Sequence, residues 1–101
     1  LWSLGEINDS RAVPALCGYL KHKKEIYRRT AAAALGKIKD PASVPHLIQA
    51  LSDPFITVRL AAEQSLININ EPAIPYLENA YQKTNNQVLR FHLQRIFSKI
   101  K

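Results

Sequence analysis

Apolar positions along this chain recur at helical spacing. Val44, Leu47, Ile48 and Leu51 lie three or four residues apart, which places one apolar stripe along a helix. Asp40 can cap that helix and Pro41 suits its first turn, so the pattern predicts a helix A over 41–51. Pro45 would remove a backbone hydrogen bond from its interior, so the helix either begins later or has a bent first turn. Ser52-Asp53-Pro54 breaks the chain. Val58, Ala62, Leu66 and Ile69 then predict a helix B over 56–68. There is no sustained apolar–polar alternation and no Asn-Gly or Asp-Gly hairpin signal, so the fold class reads as all-α.

The same pair of stripes occurs three times. A shift of about 31 residues lays Leu4-Gly5-Glu6-Ile7-Asn8-Asp9 on Leu35-Gly36-Lys37-Ile38-Lys39-Asp40, and Val13-Pro14-Ala15-Leu16 on Val44-Pro45-His46-Leu47. Ile74-Pro75-Tyr76-Leu77 repeats the second motif one residue early, and Arg59 to Arg90 restores the register. One residue is lost near Asn70-Glu71-Pro72 and one is gained in the turn 82–87, where repeat folds tolerate change. The expected division is the end of a preceding repeat at 1–7, then repeats at 8–38, 39–69 and 70–101. Helix B of the outer repeats should bury Tyr27, Ala31, Leu35 and Ile38, and Leu89, Leu93, Phe97 and Ile100. The core should be Leu16, Leu20, Leu35, Leu47, Leu51, Leu66, Leu77 and Phe97. Trp2–Ile7 reads as a helical stub whose partner helix lies upstream, and the chain has no Met, so a longer protein is expected. The exposed stub would favour self-association. Phe97-Ser98, with Lys99 and Lys101 following, reads as a helix end suited by positive charge.

The run Leu35-Gly36-Lys37-Ile38-Lys39-Asp40-Pro41-Ala42-Ser43-Val44-Pro45-His46-Leu47, followed by Val58-Arg59 and Ala61-Ala62, resembles a short HEAT repeat of the variety named after phycobilisome lyases. The resemblance implies a right-handed α-solenoid, an armadillo-like superhelix of about three stacked helix pairs. It implies B helices on the concave face, and service as a scaffold, adaptor or lyase subunit.

Composition narrows the function classes. Fourteen Lys and Arg against eight Asp and Glu give a formal charge of +6, which suits acidic partners. No apolar run could span a bilayer, no secretory leader pattern opens the chain, and a single cysteine fits a reducing compartment. The expectation is a cytoplasmic protein with no membrane partner. Cys17 lies beside Leu16 and Leu20 and reads as a buried small apolar residue. His22, His46 and His92 lack metal-ligand spacing, so neither catalysis, metal nor cofactor is expected. HEAT-like metalloenzymes such as deoxyhypusine hydroxylase use repeated His-Glu pairs, and none occurs here.

Three groups of surface residues remain. Arg28, Arg59 and Arg90 fall one above another and read as a structural ladder, with Asp53 the expected partner of Arg59. Lys21, Lys23, Lys24 and Arg28 form a basic patch in the first A–B turn, which reads first as a solvated turn. On the concave face Arg29, Leu60 and Phe91 are repeat-equivalent, with Glu63, Gln64, Gln94 and Arg95 around them. That surface makes another protein, with an acidic surface, the favoured partner. A bilin lyase or isomerase subunit and a basic nucleic-acid-binding module are the alternatives.

Overall fold

The structure is a computed structural model that describes residues 10–100. It contains six helices: α1 (Val13–Tyr19), α2 (Glu25–Ile38), α3 (Val44–Ala50), α4 (Ile56–Ile69), α5 (Ile74–Lys83) and α6 (Gln87–Lys99). No strand occurs among the described residues. The stub expected over Trp2–Ile7 lies outside them.

Each odd-numbered helix is short and opens after a single 3-10 turn: Ser10–Ala12, Pro41–Ser43 and Glu71–Ala73. This resolves the difficulty with Pro45. The α-helix starts at Val44, where the apolar stripe begins and three residues after the start that Asp40 and Pro41 suggest, so Pro45 is its second residue. A proline there removes an N–H that has no partner within the helix. Pro14 and Pro75 occupy the same place in α1 and α5. Asp40 does cap, but it caps the 3-10 turn, accepting from Ala42 N–H at 2.9 Å.

Consecutive helices pack as pairs, α1 on α2, α3 on α4 and α5 on α6. The pairs stack so that α2, α4 and α6 form one layer, while α3 lies against α5 in the other. The most extensive contact is α2 on α4. Gly36 explains that closeness. A Cβ on it would meet Ser65 Cα at 2.7 Å, so the backbones approach where only glycine fits. Ser65 Oγ is buried in the same seam and donates to the Ala32 carbonyl.

The core runs through the space between the layers. Leu16, Leu35, Leu47, Leu51, Leu66, Leu77, Leu93 and Ile96 are all fully buried. Two expected core residues differ. Leu20 is half-buried, at the C-terminal cap of α1. Phe97 is also half-buried, because Ile96, one position earlier, fills the seam. Tyr27 was expected to face the core and is 36% exposed, its ring turned toward Tyr19 and His22.

The deleted residue has a local cause. After α2, Lys39 takes a left-handed conformation (φ 61°, ψ 29°) and Asp40 then caps the next turn. After α4, Asn70 alone spans the joint at φ 65°, ψ −123°, and its side chain makes no capping bond. That single residue absorbs the one-residue deletion.

Candidate functional site

Residues on the outer surface of α4 and α6 form an apolar row. Ile56 and Leu60 are one turn apart on α4, as are Val88 and Phe91 on α6. Leu60 is 44% and Phe91 55% exposed, although α4 and α6 pack on each other. Arg95 Cζ lies 5.7 Å from the Phe91 ring centroid, and His92 meets the ring edge-on at 5.4 Å. These contacts hold the Phe91 ring at the surface. Arg29, on α2, is exposed and lies 3.7 Å from Glu25 on its own helix. Gln64 donates to Asn68 at 3.0 Å.

Of two residues expected on the rim of this face, Gln94 is exposed and Glu63 is not. Glu63 is only 3% exposed. It stands where the first pair has Ala32, at the seam between neighbouring even-numbered helices, so α6 covers it. Gln94 occupies the next equivalent position and donates instead to the Tyr81 hydroxyl at 2.7 Å, facing α5.

Under the apolar row lies a buried polar network. Glu63 Oε1 accepts from Arg95 Nε at 3.1 Å, and Glu63 Oε2 pairs with His92 Nδ1. His92 is 2% exposed, and its Nε2 accepts from Arg59 Nε at 3.2 Å. An acceptor at Nε2 requires the ring proton on Nδ1, directed at Glu63. Both carboxylate oxygens are thus occupied in joining α4 to α6. Sequence reasoning missed this network. Its signal was an acidic residue at the position where the preceding repeat has Ala32, which is buried.

The arginine series is rewired relative to expectation. Asp53 pairs with Arg28 of the preceding pair, through Nε at 2.7 Å and a second nitrogen at 3.2 Å, and not with Arg59. The bond to Asp53 raises the Arg28 pKa above its ordinary value. Arg28 and Arg59 each donate to a carbonyl of their own turn, His22 O at 2.8 Å and Asp53 O at 2.6 Å. Reaching forward, Arg28 finds Asp53 while Arg59 finds His92. Arg90 lies 4.4 Å from the Tyr81 ring centroid, and its hydrogen bond, with that of Gln94, pulls the Tyr81 phenol below its usual pKa.

Lys21, Lys23 and Lys24 sit in the α1–α2 turn with exposed side chains. Cys17 is buried and lines an open groove of about 470 Å³ with Val13, Pro14, Gly18, Lys21, Ala42 and His46. Burial, and secondarily Asp40, raise its thiol pKa. Among the described residues no group of three or more His, Cys, Asp or Glu side chains could hold a metal ion. No described helix is long and apolar enough to cross a membrane.

The HEAT-repeat family pattern matches residues 1–67 and again 28–95. The chain belongs to the HEAT-repeat family. Its repeats are of the phycobilisome-lyase type, and the stacked pairs are a stretch of helical solenoid. A curated relative is the phycocyanobilin lyase subunit alpha of Picosynechococcus sp., 39% identical over 87 residues that cover 76% of this chain. The chain spans 32% of that relative's length.

Proposed function

We propose that this segment is a non-catalytic scaffold that binds another protein through the outer face of α4 and α6. The observation that carries the reading is the apolar row Ile56, Leu60, Val88 and Phe91, half of the exposed large apolar side chains among the described residues, carried by two helices that pack on each other. Aromatic and arginine side chains at the centre of an interface dominate its energy. Here Phe91 is flanked by Arg95, and Arg29 is exposed on α2, on the far side of α4. The matching partner surface is an apolar segment bordered by carboxylates. The titratable groups best placed for chemistry support the same reading. Glu63 and His92 are occupied in the helix seam, and the Cys17 thiol is held in its protonated form by burial.

The test is to select binders from a displayed library of acidic amphipathic peptides and measure their affinity by titration. Phe91→Ala should weaken binding by about 2 kcal/mol or more. Neutralising Lys23 and Lys24 together should matter less, since exposed charges are screened at physiological salt. The reverse order would remove the proposal.

A second reading is favoured by the relative's name. The segment would then be part of a bilin lyase subunit, with the same face holding the acceptor protein. Bilin transfer by the full-length protein, assayed with and without Phe91→Ala, tests it. Transfer lost on substitution supports that reading, and no transfer by the unaltered protein rejects it.

A further inference from the structure

The first helix pair departs from the other two at one edge. Position 27 is Tyr where the next pairs have Val58, which is fully buried, and Leu89. The repeat needs only an aliphatic residue there. Tyr27 instead leans out to meet His22 at 4.4 Å and Tyr19 at 6.2 Å between ring centroids, with His22 and Tyr19 6.1 Å apart. His22 replaces the aspartate of the next turn, Asp53. Exposed Lys21, Lys23 and Lys24 flank His22 in the same turn.

The turn is rigidly held. Arg28 donates to the carbonyls of His22 and Lys23 at 2.8 and 3.0 Å, and Lys21, Lys23 and Lys24 are exposed. Lys24 N–H donates to His22 Nδ1 at 3.0 Å, which leaves Nε2 of the neutral ring as an N–H donor. The nearby carboxylates are already occupied. Asp53 takes Arg28, while Glu25 accepts from Thr57 and faces Arg29. The lysines therefore remain available to an outside anion. Across the seam Phe55 is 52% exposed, with Arg28 Cζ 5.6 Å from its ring centroid, and continues the aromatic surface onto the next turn.

Lysines alone would serve any polyanion. Flat rings among them select an anion that also has flat faces, because bases stack on aromatic side chains while phosphates meet the cations. We infer that this edge binds single-stranded nucleic acid, with bases on Tyr27, His22 and Phe55 and phosphates on Lys21, Lys23 and Lys24. The site uses none of Ile56, Leu60, Val88 and Phe91, so its failure would leave the protein-binding reading standing.

The test is fluorescence anisotropy of a labelled oligouridylate with the whole chain, its duplex counterpart and inorganic polyphosphate as comparison ligands. Single strand should bind more tightly than duplex, with a log–log salt slope of about −2 for three phosphates neutralised. Tyr27→Leu restores the aliphatic type that the other pairs use. It should weaken oligouridylate about tenfold and leave polyphosphate unchanged. The pair Lys23→Gln and Lys24→Gln should weaken both ligands. The inference is overturned by no binding at low salt, by an unchanged oligouridylate affinity in Tyr27→Leu, or by equal displacement with polyglutamate of matched charge.

Discussion

Gly36 shows how much one missing side chain can decide. Its Cα lies so close to Ser65 that a methyl group would strike backbone, and two helices would have to part. Gly36→Ala should therefore destabilise the chain by about 1–3 kcal/mol despite alanine's better helix propensity. Urea unfolding measures this, and an unchanged midpoint would mean that α2 and α4 are not so close. Cys17 makes a second single-residue case. Burial raises its pKa, so less thiolate is present at a given pH than for a free cysteine. Alkylation by iodoacetamide near pH 8 should be slower than for a free thiol and rise with pH along a displaced curve. A rate equal to that of a free thiol would contradict the placement. These residues differ in how legible they were. Cys17 beside Leu16 and Leu20 reads as buried from its neighbours alone. Gly36 is recognisable as a packing position, but the sequence does not say what it packs against. Glu63 was misplaced because helical periodicity separates inside from outside on one helix, and says little about the flank that faces the next.

The helix pairs follow from the sequence because each carries its own local signals. Val-Pro-x-Leu starts the first two short helices and Ile-Pro-x-Leu the third, and the apolar stripe of each long helix falls at the same offset. The helix start differs at Pro41–Ser43 because a capping Asp40 and a following Pro41 open a 3-10 turn as well as a first α-turn. Asn70 is the strained joint between such elements. It holds φ 65°, ψ −123°, and its buried Oδ1 has no hydrogen-bond partner among the described residues. A backbone in that region suits glycine, and an orphaned buried oxygen carries a further cost. Asn70→Gly should raise stability by about 1 kcal/mol, seen as a higher melting temperature. A fall would mean that the Asn side chain makes a bond that holds the joint. The tie between turns gives the opposite expectation. Arg28→Ala leaves Asp53 without its bidentate partner at the boundary between two pairs, which should cost about 1.5–3 kcal/mol. Equal stability of Arg28→Ala and the unaltered chain would show that the turns are held by packing alone.

At the scale of the molecule, stacking gives each surface a separate role. The seams between pairs hold the buried polar links, Arg28 to Asp53 and Glu63 to His92. The outer face of α4 and α6 carries the apolar row, and the turn edge carries the lysines and rings. The sequence placed Leu60 and Phe91 on one face because repeat register carries a surface position from one pair to the next. It could not place Arg28 against Asp53, since that contact crosses between pairs and depends on how far each is offset. The central claim is that the face around Phe91 is where a partner docks. It is tested most directly by placing a photoreactive amino acid at Phe91, and separately at Tyr76 on α5, in the full-length protein within its own cells. The two side chains are comparably exposed, at 55% and 48%, so solvent access alone would give similar yields. The account predicts a discrete crosslinked partner from position 91, little or none from position 76, and loss of the product when Leu60 is replaced by Asp. Equal products from both positions, or a partner captured from position 76 alone, would contradict it.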